Sequence, residues 1–206
     1  MVMKTPERTA IWDSYTSIVV PPQMTDEQLF DFCQVHRDLR IERTANGDLI
    51  IMPPTGGETS NRNMALAIML GNWSWHDGTG EAFDSNGGFF LPNGAMRSPD
   101  ASWVKGSRLI QLTDKEKQKF LPLCPDFVIE LLSPSDSLAE IQEKMQEYIE
   151  NGAQLGWLID PRRRQVHVYR PNKEIEVLEN PSELSGESVL PGFVLDLTKV
   201  WKSKFI

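Results

Sequence analysis

The chain is short of the residues that build several common kinds of site. It has two cysteines in 206 residues, Cys33 and Cys124, and they share no short motif. They read as buried free thiols, and no zinc-binding spacing is present. Histidine is equally scarce, at three. His76, after "WSW", has no partner at ligand spacing. His167 alternates with Val166 and Val168 and reads as an ordinary strand histidine. No stretch approaches the ~20 apolar residues of a membrane-spanning helix. The opening "MVMKTPERTA" lacks the apolar centre of a secretory leader, so a cytoplasmic location and no membrane partner are expected. Positive charge is also short: 21 Lys and Arg against 29 Asp and Glu give a formal net charge of −8. That disfavours loose, sequence-blind binding to a polyanion. A local basic patch or a bound metal can still reverse the field where it matters. There is no internal repeat and no low-complexity tract.

What is present fits one domain over 1–206, with 1–24 an irregular, proline-punctuated segment. Thr25 caps a short helix over "DEQLFDFCQVH". "LRIERTANGDLIIMPP" predicts a hairpin turning at Asn46-Gly47. A loop and a long helix follow in "TGGETSNRNMALAIMLGNWSWH", with Met64, Ala67, Ile68 and Gly71 on one face and Leu66, Leu70 and Trp73 beside it. "EAFDSNGGFFL" and "RSPDASWV" read as a second antiparallel pair. After a polar excursion, "DFVIELLS" is the most apolar strand. "SPSDSLAEIQEKMQEYIENG" is a helix capped by Ser or Asp, with Leu138, Ile141, Met145, Tyr148 and Ile149 as its inner stripe, ended by Asn151-Gly152. "QLGWLID" and "QVHVYRP" pair around "PRRR", and "KEIEVLEN" and "GFVLDL" add strands. Helices interrupting a mostly antiparallel meander indicate an α/β or α+β single domain with a central mixed sheet flanked by helices and an added N-terminal hairpin.

Two segments carry the chemistry: "SPDASWV" and "CPDFVIELLSPS". Each passes from Pro-Asp into an apolar strand. The second holds Glu130 in mid-strand, on the face shared by Asp126, Val128 and Leu132. A lone buried carboxylate either protonates or costs several kcal/mol. It needs a cation, an arginine or a second acid. Asp100 and Glu130, on neighbouring strands, make a hard-oxygen pair of the kind Mg²⁺ takes with several waters. The alternative is an ion pair between Glu130 and Arg62 or Arg97. Asp126 is either a further acid of that site or a cap on the turn after Pro125. Arg162, Arg163 and Arg164 are either a solvated turn or a grip on phosphates. Trp73, Trp75 and Trp103 could stack on bases, though core or interface packing is the commoner use.

"GDLIIMPPTGGE", "PDFVIELLSPSDS", "EYIENGAQLGWLIDP" and "LPGFVLDL", taken together, resemble the Uma-two family of restriction-endonuclease-like proteins in the PD-(D/E)xK superfamily. The resemblance implies a PD-(D/E)xK core and a Mg²⁺- or Mn²⁺-dependent endonuclease acting on DNA. It implies Asp100 and Glu130 as metal ligands, with the Leu131 carbonyl as a third. The strand position where the superfamily carries lysine is Leu132 here, and Lys144 on the next helix is the matching residue. Glu58 corresponds to an extra acid at the start of the long helix. Homodimers occur among related folds. The absent strand lysine keeps a second reading open: a catalytically inactive nuclease-fold protein that binds nucleic acid or a protein partner. Lys144 could equally form an exposed i, i+4 pair with Glu140.

Overall fold

The computed structural model describes residues 24–202; the irregular segment expected over 1–24 lies almost wholly outside them. Local chemistry sets most element ends. Helix α1 (Asp26–Val35) starts in a capping box, with Thr25 and Gln28 each bonding the other's backbone N–H. Strands β1 (Arg40–Arg43) and β2 (Leu49–Met52) form the hairpin. Its loop is longer than a two-residue turn, because Arg43 and Leu49 are the last pair and Gly47 alone takes a positive φ, of 93°. Helix α2 (Gly57–Asp77) stops at Gly78 in the left-handed region.

The second antiparallel pair expected from sequence divides between two sheets. Strand β3 (Gly80–Asp84) pairs with β6 (Ala101–Lys105), while β4 (Phe89–Phe90) and β5 (Met96–Arg97) join the hairpin. One antiparallel sheet therefore runs β2-β1-β5-β4. The main sheet runs β10-β9-β8-β7-β6-β3, with β7 (Phe127–Leu131), β8 (Leu155–Asp160), β9 (Gln165–Tyr169) and β10 (Glu176–Glu179). Only β7 and β8 are parallel, and helix α5 (Leu138–Glu150) connects them. The polar excursion holds two single-turn helices, α3 (Gly106–Leu109) and α4 (Asp114–Lys117). A small pair, β11 (Glu183–Ser185) with β12 (Val194–Asp196), and helix α6 (Thr198–Trp201) close the described chain.

Side-chain alternation along β7 divides the core. Phe127, Ile129 and Leu131 pack with Leu66 and Leu70 of α2 and with Trp103, Trp157 and Trp201. Val128 packs with Met145 and Tyr148 of α5 on the other face. The α2 stripe buried here is Leu66 and Leu70, with Met69 and Trp73 against it; Met64 and Ile68 face solvent. Glycine at position 80 is forced by packing. A Cβ there would lie 2.3 Å from the Val104 carbonyl oxygen and 2.4 Å from the Trp103 ring.

Candidate active site

The passage from one sheet to the other happens at Ser98-Pro99-Asp100, between β5 and β6. The β6–β7 ladder ends at Ala101 and Ile129; Asp100 comes next, and Pro99 beyond it has no N–H to give to the Leu131 carbonyl. The Asp100 side chain bonds β7 instead. Its Oδ2 accepts the Leu131 N–H at 2.9 Å, and its Oδ1 accepts from Asn63 Nδ2 at 2.9 Å. In an extended strand the N–H and C=O of one residue point to the same edge, so the Leu131 carbonyl opens on the Asp100 side.

Glu130 follows Val128 on the α5 face of the sheet, and the register of β6 puts Asp100 on that face too, two residues before Ser102. Glu130 is 5 % exposed. Its Oε1 accepts from the Tyr148 hydroxyl at 3.0 Å and lies 2.8 Å from Lys144 Nζ. Lys144 and Tyr148 sit one turn apart on α5, which aims both at the end of β7. The ion pair that β7 makes is thus with a lysine. Arg97 is taken by Glu42 and Glu147, at 3.2 and 2.6 Å, and Arg62 by Glu58 and by the carbonyls of Val200 and Lys202. Lys144 makes no bridge to Glu140.

One participant had no signal in the sequence. Glu42, on β1, is 2 % exposed. Its Oε1 lies 2.8 Å from Lys144 Nζ and accepts the Ser98 N–H at 3.0 Å. Lys144 is therefore held between two carboxylates from different sheets. Strand alternation does place Arg40 and Glu42 on one face of the hairpin. Arg40 reaches to 3.7 Å from Asp100 while donating to the Ser98 carbonyl at 2.9 Å. The position that face takes over Lys144 depends on how the small sheet docks, which no local pattern encodes.

The electrostatics follow from burial. Burial pushes the Glu130 carboxyl up to about 7; Lys144 opposes this, while Asp100 and Glu42 add to it. Burial also raises Asp100, against the Leu131 N–H, Arg40 and Lys144. Glu42 is buried as deeply, yet Lys144, Arg97 and the Ser98 N–H bring it below the usual carboxylate range. For Lys144, burial is outweighed by Glu130 and Glu42, and the ammonium is held charged. Burial, helped by Asp100 and Glu42, thus outweighs an ammonium 2.8 Å away, and a further cation at this carboxylate would favour its ionised form.

A cleft of about 470 Å³ opens on this cluster. Asp100, Glu130, Leu131 and Lys144 line its floor, and the loops 53–57 and 133–136 its walls. Glu58 stands at the mouth with its side chain 54 % exposed, paired to Arg62 at 3.3 Å. Among the described residues no three acids or imidazoles form a complete metal cage. Two carboxylates, one strand carbonyl and several waters would be the donor set, which is the habit of Mg²⁺.

The remaining candidates lie elsewhere. Asp126 sits at the opposite end of β7, accepting the Lys105 N–H at 2.9 Å and pairing with Arg108 at 3.0 Å, so it acts as a cap. Arg162, Arg163 and Arg164 are exposed in the β8–β9 turn, outside the cleft lining but at the same end of the sheet as Leu131, because β7 and β8 are parallel. The Arg162 and Arg163 N–H groups bond Asp160, and the Arg163 side chain pairs with it at 3.3 Å.

The profile of the Uma2 family, described as "Putative restriction endonuclease", matches residues 26–198. The chain belongs to this family. The match runs from α1 to the start of α6, so the hairpin that supplies Glu42 lies within the Uma2 region. The fold is similar to that of a solved "putative nuclease belonging to DUF820" from Anabaena variabilis ATCC 29413, with a TM-score of 0.72 and 23% sequence identity over 87% of this chain and 98% of that one. No curated protein matches the chain. The α/β fold, a central mixed sheet flanked by helices, is thus that of a restriction-endonuclease-like family. No described helix is long and apolar enough to cross a membrane.

Proposed function

We propose that this Uma2 protein is a metal-dependent endonuclease that hydrolyses phosphodiester bonds in DNA, with Mg²⁺ or Mn²⁺ as its cation. The observation that carries the reading is the meeting of Asp100 and Glu130 on one face of adjacent strands, with Lys144 against Glu130, at the floor of an open cleft.

Asp100, Glu130 and the Leu131 carbonyl would hold the cation. When bound, it supplies Lewis-acid polarisation of the phosphodiester and a water of lowered pKa. Tyr148 fixes the orientation of the Glu130 carboxylate by donating to its Oε1. Lys144 keeps an ammonium next to the reacting phosphate, where negative charge builds on the phosphoryl oxygens. Glu42 lets that ammonium stay beside a bound cation. It gives Lys144 a counter-charge that the metal does not compete for. Glu58, at the mouth, is a fourth acid within reach of a bound phosphate's cation. Arg162, Arg163 and Arg164 would track the DNA backbone at the same end of the sheet. The reading places the protein in the cytoplasm, beside such a substrate.

A second reading, a catalytically inactive relative that binds nucleic acid or a protein, is favoured by one observation: the strand lysine position is Leu132, and Lys144 is clamped by two carboxylates. Plasmid nicking with Mg²⁺, Mn²⁺ or chelator, alongside Mn²⁺ titration calorimetry, separates the two. The endonuclease cuts only with metal, and Asp100→Asn and Glu130→Gln abolish both cutting and Mn²⁺ binding. Cutting that persists in chelator or in Glu130→Gln refutes the reading. DNA binding without cutting at any metal concentration favours the second.

A further inference from the structure

Helix α2 buries one side and leaves the other without charge. Between Arg62 and His76 its sequence, "NMALAIMLGNWSW", contains no charged residue. Leu66, Leu70 and Ser74 face the core, while Met64 is 60 % exposed, Ile68 51 % and Trp75 79 %. These three share an outward stripe with Asn61 and Asn72. A surface helix ordinarily carries its charges on this side, and one that is apolar outside as well as inside is usually covered.

Two further observations indicate what covers it. Gly71 lies in mid-helix, where glycine is destabilising relative to alanine. Its own chain does not require it: a Cβ built there meets nothing within 4 Å. Gly71 instead lies in a groove of about 310 Å³ between α2 and β3, lined by Ala67, Ile68, Asn72, Ala82, Phe83 and Asp84, with Trp75 also against it. Knob and hole thus sit one turn apart on the same helix.

We propose that this face is a homodimer interface, in which two α2 helices cross antiparallel about a two-fold axis near Gly71. That operation sets each Trp75 over the Ala67–Gly71 groove of the other copy, which is the self-complementarity an isologous contact needs. Two chains of net charge −8 repel over most of their surface, and the α2 stripe itself adds no like charge to a contact, although Asp84 of β3 lines one wall of the groove. Met64, Ile68 and Trp75 alone offer on the order of 400 Å² per copy, about half of what a standard interface takes from each partner. Asn61, Asn72 and the free edge of β3 adjoin them. The interface stands whether or not the cleft cuts DNA.

Sedimentation velocity of the full chain over about 1–200 μM tests it, with far-UV circular dichroism and melting run in parallel. Wild type should sediment as a dimer. Trp75→Glu should weaken the dimer at least about 100-fold, since a central tryptophan is lost and a charge added on both sides of the axis. Gly71→Leu should also dissociate it while leaving the monomer as stable or more so, a combination that a role within the monomer would not produce. A wild type that is monomeric at every concentration overturns the proposal and leaves the stripe to another occupant. A dimer that both variants leave intact overturns it too.

Discussion

Replacing Glu130 by glutamine should stabilise the metal-free protein at alkaline pH and leave it unchanged in acid. The folded site raises this carboxyl from 4.5 to about 7. A group whose pKa is higher folded than unfolded lends stability that is complete below the unfolded value and is lost as pH rises through the folded one. Ionised Glu130 therefore weighs against folding above pH 7. At 1.36 kcal/mol per pH unit the penalty is about 3 kcal/mol. Glutamine has the shape of the protonated acid. Its Oε1 can still accept from Tyr148 and Lys144, and Lys144 keeps Glu42 as counter-charge. For a chain of this length, the difference corresponds to a melting temperature roughly 6–12 °C higher than wild type at pH 8. At pH 4 the two proteins should coincide. The assay is thermal or urea unfolding in chelator across pH 4–8.5. A gap independent of pH, or a variant less stable than wild type at pH 8, would refute the claim that burial makes the ionised Glu130 costly to the fold. With Mg²⁺ present, the wild type should recover stability and the variant should not.

Glu42→Gln acts in the opposite direction. Removing one partner of the buried Lys144–Glu42–Arg97 group should destabilise the fold by about 3 kcal/mol at neutral pH. Because the Glu42 pKa is lowered, its contribution is present above 4.5 and lost as pH falls through the folded value, so urea titrations should show the gap closing only below pH 4.5. Asp126→Ala removes the bond from the Lys105 N–H and the partly exposed Arg108 pair; a loss of about 1–2 kcal/mol in urea unfolding is expected, with Mn²⁺ binding unchanged by calorimetry.

Much of the site could be read before the fold was known, because its parts lie at the ends of strongly patterned elements. Glu130 interrupts an apolar strand, Asp100 heads another, and Lys144 precedes Tyr148 by one turn of a clearly bounded helix. Strand alternation and helix spacing are local, so their faces were legible. Glu42 was not, since an acid in a polar hairpin strand looks solvated until the other sheet is docked on it. Arg97 fell to the same uncertainty: it belongs with Glu42 and Glu147, two elements away from Glu130. That the expected second pair would divide between the main sheet and the hairpin's was not legible, because β4 and β5 are only two residues each and β1, which pairs with β5, lies far back in sequence. On α2, apolar periodicity does not say which of two apolar stripes meets the core.

The clamp on Lys144 has one jaw in each sheet. Glu130 belongs to the long, deeply packed one; Glu42 belongs to a short strand paired by only four residues to its hairpin mate and by a single residue pair to β5. Fraying that begins at the hairpin would let go of the ammonium long before the rest of the molecule loosened. The rate at which β1 amides trade hydrogen for deuterium is then a clock for the readiness of the cleft.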